Sequence, residues 1–345
     1  MKKAVIICAF PLMLLAVQGC KNKSAGEKSN VTSVTEYPKT GSVERLDPIM
    51  DDIIAPGVLP EIIADSFVWC EGPVWVPEIE SVLFSDIPQN SVFQWTEKDG
   101  LKLYLKPAGY SATSPRKGET GSNGLLLDSE GRLVLCQHGD RRMARMDAPL
   151  DDPVPSYVSL ADKWNGKRFN SPNDAVYSKT GDLYFTDPCY GMAEQWDDPL
   201  REIDFTGVYR YTVGSEVIML IDSIPAPNGI GLSPDESKLY VASSGSDGSW
   251  YEYQISGDGT LSSGRVFFDA RELRKIRRGS PDGLEIREDG IIFATGPGGV
   301  MIFDPDGNHL GTVMTGQATS NCTIDSEGNW LYMTADMYLM RIALK

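Results

Sequence analysis

Histidine and clustered positive charge are both scarce in this chain of 345 residues. It contains two histidines, and its 48 acidic side chains outnumber 32 basic ones, which gives a formal net charge of −16. A nucleic-acid-binding protein is disfavoured, because neutralising phosphates requires clustered Lys and Arg. A zinc site is disfavoured too, because two histidines and widely separated cysteines do not supply the usual set of zinc ligands.

Long apolar runs are confined to the beginning of the chain. Lys2 and Lys3 precede an apolar segment over residues 4–17, and Gly19-Cys20 follows, as in a bacterial lipoprotein signal. We expect residues 1–19 to be a signal peptide and Cys20 to carry the lipid; the alternative is an ordinary secretory signal with an incidental cysteine. The protein would then lie in the cell envelope, on the periplasmic face or the outer surface, with the lipid as its only membrane contact.

Residues 20–48 are rich in Lys, Ser, Glu, Thr and Asn and poor in large apolar side chains. This composition is typical of a flexible tether, so we predict that the folded domain spans residues 49–345. Four cysteines lie in this domain, and we expect them to be buried unpaired thiols, because a domain of this size does not need disulfides. A bridge between Cys70 and Cys322 stays open, since the two occupy equivalent places in the repeats described next.

Six internal repeats run through residues 71–345. Each opens with a carboxylate or amide residue, here called the lead residue, that runs into a strand pattern, and a second strand pattern follows. The lead residues are 39 to 55 residues apart, the length of a four-stranded blade, which predicts an all-β, six-bladed β-propeller. The last repeat is one strand short, so residues 60–65 are expected to pair into it and close the ring. The lead residues are Glu71, Asn123, Asn173, Asn228, Asp282 and Asn321.

The lead residues are expected to ring one mouth of the central channel, because each opens the innermost strand of its blade. For any single repeat, Asn-Gly and Asp-Gly are also ordinary turn sequences. As a set, two carboxylates and several amide carbonyls match the oxygen ligands of a divalent cation such as Ca²⁺, Mg²⁺ or Mn²⁺. The loops after the second strands open at the same mouth, and they carry His138, Tyr190 and Trp196.

Five motifs resemble the gluconolactonase/senescence-marker-protein-30 family, whose propellers are similar to calcium-dependent organophosphate fluorohydrolases. The motifs are Glu71-Gly-Pro-Val-Trp, Arg168-Phe-Asn-Ser-Pro-Asn-Asp, Phe185-Thr-Asp-Pro-Cys-Tyr-Gly, Pro227-Asn-Gly and Ser280-Pro-Asp-Gly-Leu. The resemblance implies a single metal, usually calcium, with four ligands: Glu71, Asn173, Asn228 and Asp282. Asn170 competes with Asn173, and the distance to the next turn glycine favours Asn173. An insertion shifts Arg168 out of register with the family's substrate-binding arginine, so that role is not carried over.

The resemblance implies hydrolysis of a sugar lactone, with the metal polarising the carbonyl and activating water. Asp282 is expected to be both a ligand and the general base, with Glu71 as the second candidate base. His138 is expected to transfer protons or to bind a sugar hydroxyl. The other expected substrate contacts are Asn123, Asn321 and Tyr190.

Other functions remain open from the sequence. One is a non-catalytic carbohydrate-binding propeller that keeps the metal to brace its channel; a lyase or an organophosphate hydrolase would use the same ligands. A serine hydrolase is disfavoured, because there is no Gly-x-Ser-x-Gly motif and His309 is expected on the far side of the propeller. We expect a monomer that acts on a small molecule.

Overall fold

The N-terminal part of the folded unit contributes strands to blades whose other strands come much later in the chain. The computed structural model describes residues 36–345, and residues 37–345 form one unit. The predicted signal peptide and the predicted lipidation site Cys20 lie outside the described residues. The first elements are β1 (Ser42–Arg45), α1 (Met50–Ile53) and β2 (Glu61–Ala64).

Six antiparallel sheets follow, and their innermost strands contact one another around a central channel. Blade 1 has β3 (Cys70–Val76), β4 (Ser81–Asp86), β5 (Ser91–Thr96) and β6 (Gly100–Leu105), and blade 2 has β7 (Ser122–Leu127), β8 (Leu133–Gln137), β9 (Arg142–Met146) and β10 (Tyr157–Ala161). A two-stranded ribbon of β11 (Lys163–Trp164) and β12 (Lys167–Arg168) precedes blade 3, which has β13 (Ala175–Tyr177), β14 (Leu183–Asp187), β15 (Gly207–Tyr211) and β16 (Ile218–Ile221).

The second half of the ring repeats this order. Blade 4 has β17 (Pro227–Leu232), β18 (Lys238–Ser243), β19 (Ser249–Ile255) and β20 (Leu261–Asp269), and α2 (Arg271–Arg274) follows it. Blade 5 has β21 (Leu284–Ile286), β22 (Ile292–Gly296), β23 (Gly299–Phe303) and β24 (His309–Met314), and blade 6 has β25 (Thr319–Ile324), β26 (Trp330–Ala335) and β27 (Tyr338–Ala343). Short 3₁₀ helices span Pro77–Ile79 and Gln195–Asp197. The prediction of an all-β, six-bladed propeller is confirmed.

Apolar side chains fill the spaces between neighbouring blades. In blade 4, Trp250 is fully buried and packs edge-on against Phe303 of blade 5, with ring centroids 5.7 Å apart. The middle strands β22 and β23 are buried along their whole length, because each lies between two other blades. Strands covered on both faces carry consecutive apolar residues without alternation, and this is the pattern that predicts the second strand of each repeat.

The strand β2 lies at the outer edge of blade 6, where it pairs with β27. The register places Glu61 opposite Arg341 and Ile62 opposite Met340. The Arg341 guanidinium also forms an ion pair with Glu61, with Nε and Oε2 3.1 Å apart. Residues from both ends of the folded unit therefore meet in one blade, and β2 covers the edge that β27 would otherwise expose.

The strand β1 lies in the segment that composition assigned to the tether, and that boundary at residue 48 is wrong. It pairs with β24 at the outer edge of blade 5, where Ser42 lies opposite Met314 and Arg45 opposite Gly311. Glu44 forms a double ion pair with Arg277, with N–O distances of 2.8 and 2.9 Å. An outer strand is held mainly by backbone hydrogen bonds, which any composition can make, so the lack of apolar residues was misleading.

The four cysteines of the folded unit are Cys70, Cys136, Cys189 and Cys322, and all are buried free thiols. Cys322 donates through Sγ to the carbonyl of Phe293 at 3.4 Å, so this thiol has its own partner and no bridge to Cys70 forms. None of the helices in residues 36–345 combines the length and apolar character needed to cross a bilayer.

Candidate metal centre and substrate cavity

A cavity of about 330 Å³ lies at the end of the channel where the innermost strands begin. Its wall includes five of the six lead residues together with a tyrosine from the loop after β14. These residues are Glu71, Asn123, Asn173, Asn228, Asp282 and Tyr190. The structure therefore brings together all four ligands implied by the family resemblance.

Glycines after the lead residues allow the innermost strands to approach closely. A Cβ atom on Gly72 would lie 2.2 Å from the Asn123 carbonyl oxygen, and one on Gly229 would lie 2.3 Å from the carbonyl oxygen of Asp282. The backbone is also irregular at these points, since the pairing register shifts just after Glu71 in blade 1. The Xaa-Gly pairs thus set the spacing between the side chains of the cavity.

Two buried carboxyl groups of this cavity have little to neutralise them. Glu71 is 4% exposed and its Oε2 accepts a hydrogen bond from the Gly72 amide at 3.2 Å. The Oδ1 atom of Asp282 is buried and has no hydrogen-bond partner among the described residues. Burial raises the pKa of both carboxyls, and the negative charge of Glu71 raises the pKa of Asp282 further. The pair is costly to ionise unless a cation lies beside it.

The residues of the cavity fit a divalent cation that prefers oxygen ligands. Asn228 donates through Nδ2 to the Ser244 hydroxyl at 2.9 Å, which fixes the amide plane. Within residues 36–345 no three His, Cys, Asp or Glu side chains form a metal-binding group, so a cation here would depend on amide oxygens as well as on two carboxylates. That mixture, with the unpartnered Asp282 oxygen, is the donor set that Ca²⁺ takes in proteins.

Asn173, rather than Asn170, faces the cavity. Asn170 is buried beneath the loop after β14, where its Nδ2 donates to the Phe205 carbonyl at 2.9 Å. Its backbone N–H donates to the carboxylate of Asp187 at 2.8 Å. Arg168 donates to the Asp140 carbonyl at 2.8 Å and does not line the cavity.

The loop after β14 holds Tyr190 against the cavity through an aromatic contact. Tyr190 and Trp196 meet edge to face, with ring centroids 5.0 Å apart. Trp196 donates through Nε1 to the Pro225 carbonyl at 3.3 Å, so it ties the loop to the start of blade 4. Burial, and then the charge of Asp282, raises the pKa of Tyr190, which keeps its hydroxyl protonated as a donor.

His138 does not reach the cavity, and the expectation that it contacts the substrate directly is not met. Its side chain is fully buried and lies behind Glu119, with Nδ1 3.9 Å from Glu119 Oε2. Burial, followed by the charge of Arg116, lowers the pKa of His138 to about 3, so the imidazole is neutral. Arg116, in the same loop as Glu119, donates to the His138 carbonyl at 3.3 Å, and the sequence pattern did not indicate that this loop packs against His138.

Asn321 also lies outside the cavity. The lead position of the sixth repeat is one residue earlier than the sequence alignment of the repeats placed it. The amide of Gly283 donates to the Ser320 carbonyl at 2.8 Å, as the amide of Gly124 donates to Asn173 in an earlier blade. Ser320 therefore takes the lead position. Since side chains alternate along a strand, Asn321 points elsewhere and lines a second cavity of about 290 Å³ further along the channel.

Glu119 is a wall residue of the first cavity that the sequence reasoning missed. It lies in the loop that enters β7, four residues before Asn123. Loops that enter the innermost strands converge on the same mouth, so an acidic residue in such a loop was the available signal. No repeat marks it, because the loops that enter the innermost strands differ in length, from residues 315–318 before β25 to residues 106–121 before β7.

Comparisons of the sequence and of the structure with known proteins indicate the same family. Residues 69–336 match the family described as SMP-30/Gluconolactonase/LRE-like region. A gluconolactonase of Zymomonas mobilis subsp. mobilis is 35% identical over 314 residues, which cover 88% of this chain and 86% of that protein. The structure of a gluconolactonase from Xanthomonas campestris is 27% identical with a TM-score of 0.76, covering 90% of this chain and 99% of the other.

A more distant structure shares the fold. It is the calcium-binding protein regucalcin from Agrobacterium tumefaciens, with a TM-score of 0.64 at 17% identity, covering 82% of this chain and 94% of that one. The matched residues include the five lead residues that line the cavity and every motif on which the resemblance was based. The chain belongs to the SMP-30/gluconolactonase/LRE-like family.

Proposed function

We propose that this protein is a lactone hydrolase of the gluconolactonase type that requires a divalent cation, with calcium as the first candidate. The observation that carries the proposal is the buried, unpartnered Asp282 Oδ1 beside Glu71 in an open cavity. Relatives that match most of this chain are gluconolactonases, which supports a sugar lactone as the substrate. The calcium-binding regucalcin of the same fold supports the choice of cation.

The cation would be held by four residues, namely Glu71, Asn173, Asn228 and Asp282. When bound, it would supply positive charge that polarises a lactone carbonyl and makes water more acidic. Asp282 would bind the cation through one carboxylate oxygen and act as the general base through the other, which would take the proton from the attacking water. The proton returns to the ring oxygen when the ring C–O bond breaks, and the product is a hydroxy acid. Tyr190 and Asn123 would bind and orient the substrate from the cavity wall.

Calcium titration calorimetry and a lactone and ester panel test this proposal. The wild type should bind calcium and release protons from sugar lactones, and a chelator should abolish the release. Glu71→Gln and Asp282→Asn should each weaken calcium binding by at least about 100-fold, because the number of charged ligands sets the affinity. Glu272→Gln, on the exposed helix α2, is the matched control and should behave as the wild type. Undiminished calcium affinity in either site variant would remove that residue from the site, and hydrolysis that survives chelation would remove the metal requirement.

We also propose that the protein is a monomer held in the cell envelope by a lipid on Cys20. The support is the sequence of residues 1–20, with its basic start, apolar segment and Gly-Cys end. Metabolic labelling with a fatty acid, followed by membrane fractionation, should show label and membrane association in the wild type. Both should be absent in Cys20→Ala, and a labelled or membrane-bound variant would rule out this anchor.

A further inference from the structure

Glu119 is fixed in the cavity wall by a loop that is tied down on both sides. At its C-terminal end, the amide of Gly121 donates to the Ile87 carbonyl at 2.9 Å. Before Glu119, Arg116 donates to the Gly191 carbonyl at 3.0 Å, which joins the loop to the one that carries Tyr190. The carboxylate is therefore held between blades 1, 2 and 3, and its position does not depend on a free loop end.

The Glu119 carboxylate is available to a ligand. Its side chain is 39% exposed and lines the cavity. Within residues 36–345 its only basic neighbour within 4.0 Å is the neutral His138, and burial by the cavity walls is the only cause that raises its pKa, to about 7. Glu71 and Asp282 would be occupied by the cation, so Glu119 is the acidic wall residue that remains free to accept hydrogen bonds.

His138 supports this carboxylate from behind. Both of its ring nitrogens are buried without a partner among the described residues, which is costly for an imidazole. Nδ1 lies 3.9 Å from Glu119 Oε2, so a small shift would complete an N–H···O hydrogen bond. Gly191 packs closely against this side chain, since a Cβ there would lie 2.6 Å from His138 Cβ and 2.7 Å from His138 Cγ.

We propose that Glu119 is a substrate-binding residue that accepts hydrogen bonds from hydroxyl groups of a neutral polyhydroxylated ligand, and that His138 is the positioning residue that holds it. The inference rests on the proposed function, since the hydroxyls would be those of the sugar lactone. A carboxylate offers about four acceptor sites on two oxygens, so Glu119 can accept from neighbouring hydroxyls even with His138 beside Oε2. Hydrogen bonds to a charged group are also stronger than those between neutral groups. The same charge would disfavour an anionic ligand, including the hydroxy acid formed by hydrolysis.

Kinetics with two calcium-dependent substrates test the role of Glu119. On D-glucono-δ-lactone, Glu119→Ala should lower kcat/KM by about 10- to 100-fold, mainly through KM, because a hydrogen bond to a charged group is lost. On δ-valerolactone, which has no hydroxyls, the loss should be smaller by about tenfold or more. Glu119→Gln, which keeps one acceptor oxygen, should fall between Glu119→Ala and the wild type, with Glu272→Gln as the surface control. Equal losses on both lactones, or no loss, would overturn the inference.

The role of His138 is tested by the same substrate difference. His138→Ala should reproduce the greater loss on the hydroxylated lactone, and the double variant with Glu119→Ala should be no worse than Glu119→Ala alone. A merely structural role would lower activity on both lactones by the same factor. That result, or additive losses in the double variant, would remove His138 as a positioning residue.

Calorimetry with calcium present separates this inference from the proposed function. The wild type should bind the neutral polyol D-glucitol, and Glu119→Ala should bind it at least about tenfold more weakly. D-gluconate should bind more tightly to Glu119→Gln than to the wild type, because a negative charge has been removed. A wild type that hydrolyses neither lactone defeats the proposed function, yet a loss of glucitol binding in Glu119→Ala would still support the role of Glu119. No glucitol binding by the wild type, or unchanged binding by the variant, overturns that role.

Discussion

Gly229 is the residue at which spacing between two ligand-bearing strands is most constrained. An added Cβ would lie 2.3 Å from the Asp282 carbonyl oxygen and 2.7 Å from Gly283 Cα, both of them backbone atoms. Rotation of a side chain cannot relieve this overlap, so Gly229→Ala should displace both Asn228 and Asp282. We expect calcium affinity and lactone hydrolysis to fall by at least about tenfold, as when support of a metal ligand is lost. Calcium calorimetry on the folded variant checks this.

Gly257 provides the matched control. It lies in the turn between β19 and β20, and a Cβ there would meet nothing within 4 Å. Gly257→Ala should keep the wild-type calcium affinity and melting temperature. If Gly229→Ala also kept the wild-type affinity, the spacing of strands β17 and β21 would not determine the geometry of the site.

At the scale of single residues, the sequence predicted most of the side chains that recur, and among those that do not recur it predicted Tyr190 and missed Glu119. Glu71, Asn123, Asn173, Asn228 and Asp282 recur at one position of the repeat, and all five line the cavity. Glu119 has no repeat to mark it. The positions of His138 and Asn321 were wrong for different reasons: the loops that carry Glu119 and Gly191 pack over the first, and a shift of one residue turns the second to another face of the strand.

At the scale of elements, the middle strands were the easiest to predict and the outer strands the hardest. A middle strand such as β14 begins with three consecutive large apolar residues, Leu-Tyr-Phe, because it is covered on both faces. The outer strand β1 has a polar sequence, Ser-Val-Glu-Arg, and its partner β24 lies more than 260 residues away in the chain. Such pairing depends on backbone hydrogen bonds and on the Glu44–Arg277 ion pair, and the local amino-acid composition predicts neither of them.

Truncation from the N terminus tests the contributions of β1 and β2. A protein of residues 49–345 lacks β1 and the Glu44–Arg277 ion pair, so it should remain folded and melt roughly 2–5 °C below the 37–345 protein. A protein of residues 66–345 also lacks β2, which leaves β27 as an exposed edge and Arg341 without Glu61. We expect this shorter protein to aggregate or to lose its cooperative transition.

Thermal melts and size-exclusion chromatography of the three proteins check this prediction. Glu44→Gln in the 37–345 protein is the matched variant, and it should show only part of the loss caused by removing β1, since the strand pairing remains. A 66–345 protein that melts at the temperature of the 37–345 protein would show that β2 adds nothing to blade 6.

At the scale of the whole molecule, the ring concentrates acidic groups along the channel. Blades that begin at a common axis bring the starts of their inner strands together, and in this chain those segments carry acids. Burial raises the pKa of Asp174 and Glu285 to about 7, although both lie beyond the first cavity. It also raises that of Asp187, which accepts hydrogen bonds from two backbone amides, to about 7. Burying these acidic groups therefore lowers the stability of the fold, and a bound cation would restore part of that stability.

The stability of the protein in chelator and the extra stability conferred by calcium should consequently change with pH in opposite directions. Asp174, Asp187 and Glu285 have raised pKa values in the fold, so between about pH 4 and pH 7 these three groups bind fewer protons in the unfolded chain than in the folded one. His138, whose pKa is about 3 in the fold, opposes them with one group, so the three carboxyls set the sign. In chelator, the melting temperature should therefore fall as pH rises from about 5 to 7. Calcium needs ionised Glu71 and Asp282, so the increase in melting temperature that it causes should grow over this interval and be lost in Asp282→Asn. A melting temperature that rises with pH in chelator, or a calcium increment that does not change with pH, would contradict this account of the channel.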